Sequence, residues 1–272
     1  MTQEEKADRF RALHNGAEIL VLPNAWDVAS ARIFEAAGFP AIATSSAAIA
    51  ASLGYPDGES ISCHEMLEVV GRIARAVEVP VTADVESGYG APIETAKAVV
   101  GAGAVGMNLE DTIAESNDRL ADLETQASIV RKIQALGLPL VLNARTDIFL
   151  AQVGEAEDRP ARVIERLNAF RDAGADSLFA PGVTDRNTIA RLAREVNGPL
   201  NILASLGTPP VKELEAVGVA RLSVGSGPSR AALGLVRRVA LELRTNGTYQ
   251  EMLTGQIPYA ELNALLKRRA GQ

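Results

Sequence analysis

Short apolar runs, many of them β-branched, recur about every thirty residues along the chain, and the stretches between them repeat apolar positions three and four residues apart, the signature of βα units in series. The pattern predicts strands over 19–25, 41–45, 79–86, 106–111, 138–145, 177–181, 200–205 and 221–225. It predicts helices over 28–37, 62–77, 93–102, 123–136, 161–173, 184–196, 211–217 and 229–244, several of them closed by a glycine, as at Gly38, Gly174 or Gly218. Eight strands alternating with eight helices, joined by right-handed crossovers, predict an α/β fold, a (β/α)8 TIM barrel. One domain over 1–272 is expected, with 245–272 as a C-terminal helical extension whose last helix falls at 260–269. The segment 112–122, TIAESNDRLAD, is polar and weakly periodic, and reads as a lid over an active site.

Composition narrows the function. The 272 residues suffice for a barrel, which needs about 250. With 27 Lys+Arg against 34 Asp+Glu and no basic run longer than Lys267-Arg268-Arg269, nucleic acid and anionic membrane are poor partners. The charged N-terminus lacks the apolar segment of a secretion signal or anchor, so a cytoplasmic enzyme is expected. A single cysteine, Cys63, excludes an internal disulfide, and His14 and His64 are the two histidines, so a metal here would be a hard ion held by oxygen.

The strand at 79–86 ends in two carboxylates, Asp84 and Glu86, followed by glycines and an aromatic residue. Residues two apart on a strand point the same way, so both converge on one face. Carboxylates beside aliphatic packing are costly without a cation or donors, and a divalent metal is one answer; a structural ion pair in the barrel mouth is the other. Barrel enzymes collect their chemistry at the C-terminal ends of the strands. Those ends carry Trp26 and Asp27, Thr44 to Ser46, Asp84 with Glu86, Glu110 with Asp111, and Asn143 with Arg145 and Asp147. Several carboxylates around one arginine suit a magnesium site that receives an anionic substrate. Arg145 suits contact with substrate, a salt bridge to Asp147 or Glu110, or both. Asp111 can simply cap the following turn. Trp26 reads equally as pocket wall or core.

In order and spacing, PNAWDVASARI, TSSA followed by GYPDG, ADVESGYG, NLEDT and NARTD resemble the isocitrate lyase and phosphoenolpyruvate mutase family from Leu22 to about Gly227. The resemblance implies a substrate-carboxylate site at Ser45, Ser46 and Ala47, with Arg145 also on substrate oxygens; Trp26, as a pocket wall, would be a substrate-binding residue beside them. It implies Asp84 as principal metal ligand, Glu86 and Glu110 as acids holding metal-bound waters, and Asp57 as an acid close to the metal. The cofactor would be Mg²⁺, with Mn²⁺ able to replace it. The catalytic set is Arg145, Glu110, Asp57 and Asn117, which stands in for a lid asparagine. The implied partners are a small oxo-acid substrate and further copies of the chain, a dimer or tetramer formed by exchange of the C-terminal helix.

The lid departs from the family, lacking the lysines and general-acid cysteine of isocitrate lyases and the Phe-Pro-Lys of phosphonate enzymes, while Pro181-Gly182 replaces an acid that several lyases carry. The expected activity is therefore a Mg²⁺-dependent lyase or decarboxylase that cleaves a C–C bond of a small 2-oxo or 2-hydroxy acid through an enolate. A phosphonopyruvate mutase or hydrolase, and an oxo-acid-binding barrel with weak catalysis, are the alternatives.

Overall fold

The computed structural model describes residues 1–113 and 116–267, giving for 116–119 the backbone alone. In chain order the elements are α1 (Gln3–Leu13), β1 (Leu20–Leu22), β2 (Asn24–Ala25), α2 (Val28–Ala36), β3 (Ile42–Thr44), α3 (Ser46–Ser52), α4 (Cys63–Ala76), β4 (Val81–Asp84), α5 (Pro92–Gly101), β5 (Gly106–Glu110), β6 (Thr112–Ile113), β7 (Ser116–Leu120), α6 (Leu123–Gln134), β8 (Val141–Arg145), α7 (Arg159–Asp172), β9 (Ser177–Ala180), α8 (Arg186–Glu195), β10 (Leu200–Leu203), α9 (Val211–Ala216), β11 (Arg221–Ser223), α10 (Gly227–Asn246), α11 (Gln250–Leu253) and α12 (Tyr259–Leu266).

Nine parallel strands lie in the order β1-β11-β10-β9-β8-β5-β4-β3-β2. The expected first strand is broken at Pro23, which has no N–H for the ladder, so its two halves serve different neighbours. β1 pairs with β11 and β2 with β3, and together they close the barrel. The Asn24 side chain stitches this seam: Nδ2 donates to Thr44 O at 2.7 Å, while Oδ1 accepts from the backbone of Val224 and Gly225, both at 2.9 Å.

The strands are buried on both faces, as a parallel sheet covered by helices requires. Their outer side chains pack against the helices around Ala83, Leu109, Leu142 and Leu178. At the N-terminal end α1 forms a floor, with Phe10 set among Leu20, Leu22, Ala41, Val105 and Val141. Gly106 makes room for it: a Cβ there would lie 2.7 Å from Phe10 Cε1 and 2.7 Å from Thr82 Oγ1.

Three expectations change. The Thr44–Ser46 turn leads directly into α3, which Ser45 caps by accepting from Ala48 N at 3.3 Å. The lid segment opens with an antiparallel hairpin, β6 against β7. Beyond α10 the chain forms a short α11, and the last helix, Tyr259–Leu266, packs against α2 of its own chain with Leu262 and Leu265 half-buried, while positions 268 and 269 of the expected helix lie outside the described residues. Among the described residues no helix is long and apolar enough to cross a membrane.

Candidate active site

Asp84 is the last residue of β4 and is 8% exposed. Its Oδ2 accepts from Ser46 N at 3.0 Å and Ser46 Oγ at 2.8 Å, and its Oδ1 from Asn108 Nδ2 at 3.4 Å. Ser46 opens α3, so its N–H has no intrahelical partner and is available to an anion. Two residues further on, Glu86 Oε2 accepts from Glu59 N at 2.7 Å, while buried Oε1 has no partner among the described residues. Glu59 in turn accepts on Oε1 from Ser87 N at 3.1 Å, Ser87 Oγ at 2.7 Å and Tyr89 N at 2.8 Å. Glu59, Glu86 and Tyr89 have φ of 56°, 50° and 54°, a left-handed conformation costing about 1–3 kcal/mol per non-glycine residue. The reciprocal clasp between the two loops offsets that strain and fixes Glu86.

Across the mouth, Arg145 ends β8 beside Glu110, the end of β5. Arg145 Nη1 lies 2.7 Å from Glu110 Oε2, while Nε and Nη2 donate to the two oxygens of Asp147 at 2.6 and 2.8 Å. The guanidinium also sits 5.7 Å from the centre of the Phe179 ring. Asp147 is held by Thr112 Oγ1 at 2.9 Å, and its backbone N–H donates to Asp111 Oδ1 at 3.0 Å. Asp111 is therefore more than a turn cap: fully buried, it pairs with Arg166 of α7 at 2.7 Å and supports the residue that orients Arg145.

Acids outnumber cations here, and their protonation reflects it. Burial, then repulsion from Asp84 and Asp57, pushes Glu86 up to about 8. Burial and Asp84 also raise Asp57. Burial drives Glu110 upward with Arg145 opposing it, whereas Arg145 keeps its charge because Glu110 and Asp147 more than offset its own burial. A cavity of about 260 Å³ opens over this cluster, lined by Ser46, Asp57, Glu86, Glu110, Arg145 and Asp147 with Thr112, Leu150 and Ala151 at its edge. A larger groove, about 710 Å³, lies at the opposite end of the barrel near Leu13 and Phe39, where no such cluster of acids exists among its lining residues.

The donor set fits a hard, hydrated cation. Buried carboxylate charge in excess and the partnerless Glu86 Oε1 both call for positive charge. Among the described residues no three His, Cys, Asp or Glu groups converge as direct ligands. That suits an ion bound by one or two carboxylates that keeps several waters.

Of the expected residues, Ser46, Asp57, Glu86, Glu110 and Arg145 meet at the cavity, with Asp84 bonded to Ser46. Ser45 is buried as the α3 cap, Ala47 is half-buried in the first turn of α3, and Trp26 packs against the core; none of the three lines the cavity. The side chain of Asn117 lies outside the described residues. The sequence reading missed Glu59 and Arg166, whose partners are distant in sequence. It also missed Arg221, whose charge inside a strand is a signal in its own right.

A family model for phosphoenolpyruvate phosphomutase matches residues 10–244. An oxaloacetate decarboxylase of Rhodopseudomonas palustris is 30% identical over 269 residues, 94% of this chain and 90% of that protein. A 2-methylisocitrate lyase of Bacillus subtilis is 28% identical over 267 residues, 93% of this chain and 86% of its own. The structure of oxaloacetate acetylhydrolase in complex with 3,3-difluorooxalacetate superposes with a TM-score of 0.84 at 26% identity, covering 97% of this chain and 93% of that one.

Proposed function

The chain belongs to the isocitrate lyase and phosphoenolpyruvate mutase family, an enzyme family of TIM-barrel lyases, and from that premise we propose that it is a Mg²⁺-dependent lyase or decarboxylase that breaks a C–C bond of a small 2-oxo or 2-hydroxy acid. The observation that carries the reading is the meeting of Glu86, Asp57 and Glu110 with a single oriented arginine, Arg145, at one barrel mouth, with Asp84 bonded to Ser46 of the same cavity wall. Asp84 would hold the ion directly, and Glu86, Glu110 and Asp57 would hold its waters. Bound there, Mg²⁺ supplies Lewis-acid polarisation of the substrate carbonyl.

The protein's own groups position and balance charge. Asp147 takes two of the five Arg145 N–H donors and Glu110 a third, which leaves two for substrate oxygen. Arg145 is thus aimed at the oxygen where negative charge grows as the bond breaks, and such preorganised donors contribute about 2.7–4 kcal/mol. Relatives named for oxaloacetate and 2-methylisocitrate support C–C chemistry over P–C chemistry. Because the lid lacks a cysteine acid, substrates whose product takes its proton from water, such as oxaloacetate, are favoured over isocitrate. A homo-oligomer is part of the same reading, since α10 exposes Leu233, Val236 and Leu243, which at helical spacing share an apolar face that a second copy would cover.

The test is a panel of oxaloacetate, 2-methylisocitrate, isocitrate, 2-oxoglutarate and phosphonopyruvate, assayed with and without Mg²⁺. C–C cleavage of one of the first four is expected. Phosphate release from phosphonopyruvate alone would move the assignment to P–C chemistry, and tight binding without turnover would make the protein a binding barrel.

A further inference from the structure

Arg221, at the start of β11, is completely buried in the barrel interior. Among the described residues no carboxylate lies within salt-bridge distance of it, and its Nε has no partner. Its contacts are neutral: Nη1 lies 3.4 Å from His14 Nε2, Nη2 donates to Asn108 Oδ1 at 3.3 Å, and Cζ stands 5.9 Å from the centre of the Phe10 ring. Burying a guanidinium this way costs several kcal/mol. His14 gives the arrangement a direction. Its Nδ1 is 2.8 Å from Phe10 O, which accepts only, so Nδ1 carries the hydrogen and Nε2 is left to accept from Arg221.

The same logic passes upward. Arginine has donors and no acceptor, so Asn108 must turn Oδ1 toward Arg221. That oxygen also accepts from Asn143 Nδ2 at 2.8 Å, and the amide's other end, Nδ2, then faces Asp84 Oδ1 at 3.4 Å. Asn143 does not impose this sense, because its own Oδ1 has no partner among the described residues and the reversed amide would meet no penalty there. In the column from floor to rim, His14 to Arg221 to Asn108 to Asp84, the amide of Asn108 stands between a group that only donates, Arg221, and one that only accepts, the Asp84 carboxylate, and both demand the same sense of it.

We propose that Arg221 is a positioning residue: it fixes the Asn108 amide with its N–H toward Asp84, so that Asp84 is held from below on Oδ1 as Ser46 holds it on Oδ2. This rests on the reading of Asp84 as the metal-facing carboxylate. Residues that orient a metal ligand typically change metal affinity 10–100-fold when removed. A guanidinium acting only through its charge would do the opposite, since removing a buried cation strengthens attraction for another.

The test measures Mn²⁺ alone, by the EPR signal of the free ion, on intact wild type, Arg221→Met, Arg221→Lys, Asn108→Leu and the double variant Arg221→Met/Asn108→Leu. Arg221→Met is expected to weaken Mn²⁺ binding about 10–100-fold, Arg221→Lys to weaken it less, and the double variant to bind no more weakly than Asn108→Leu. Unchanged affinity in Arg221→Met, tighter affinity, or additive losses would each overturn the proposal. If Arg221→Met does not fold, Arg221→Lys carries the test through the side-chain ¹⁵N–¹H₂ resonances of Asn108, which are expected to shift and which overturn the proposal if unmoved. Absence of Mn²⁺ binding in the wild type would refute the metal reading, and the same amide resonances would then decide the positioning role.

Discussion

Replacing His14 with glutamine tests the floor of the barrel through acid stability. Burial first, then the charge of Arg221, lowers His14 from 6.5 to about 3, so the folded protein holds it neutral. At 1.36 kcal/mol per unit this corresponds to roughly 5 kcal/mol. A base with a depressed folded value stabilises fully above its unfolded value, and that stability is lost as pH falls from 6.5 toward 3. Between pH 7 and pH 5 the unfolded chain gains most of a proton that the folded chain refuses, a loss of about 2 kcal/mol. The amide introduced by His14→Gln would place an N–H at Phe10 O and an oxygen at Arg221 without titrating. The assay is urea denaturation of wild type and His14→Gln from pH 7 to pH 5. Carboxylates common to both cancel in the difference, so the variant should gain about 2 kcal/mol relative to wild type on acidification. Parallel stability curves, or a gain by the wild type, would refute a buried neutral histidine against Arg221.

Three further outcomes follow from the geometry. Gly106→Ala should lose about 1–3 kcal/mol in thermal or denaturant unfolding, because its new Cβ meets Phe10 and Thr82 at 2.7 Å within the sealed floor. Arg145→Lys should lower kcat by about 10²–10³, because one ammonium cannot span Asp147 and Glu110 as three guanidinium nitrogens do; steady-state kinetics on the best substrate checks this. Light scattering at micromolar concentration should find an oligomer, and a monomer would leave the apolar face of α10 unexplained.

The strands, their order of appearance and most helices were legible because apolar periodicity is local. The break at Pro23 was not, since it reflects which neighbours β1 and β2 find once the barrel closes. α3 was overlooked because SAAIAAS is almost wholly apolar and lacks the polar face that marks a surface helix. Asp84, Glu110 and Arg145 could be read from strand ends, where alternation fixes their direction, whereas Glu86, expected on the same strand, lies past the end of β4 with a left-handed backbone and is aimed by its contact with Glu59. Their supports could not. Arg166 with Asp111, Glu59 with Ser87 and Arg221 with Asn108 join residues 55, 28 and 113 positions apart, and no periodicity in the chain links them.

The most direct test of the central claim is Mg²⁺-dependent turnover of oxaloacetate and 2-methylisocitrate by wild type and by Asp84→Ala. The wild type should cleave at least one of them, lose that activity in chelator and regain it with Mg²⁺ or Mn²⁺, while Asp84→Ala stays folded, binds no metal and is inactive. Full activity in chelator, or an Asp84→Ala protein as active as the wild type, would contradict a metal-dependent lyase built on Asp84.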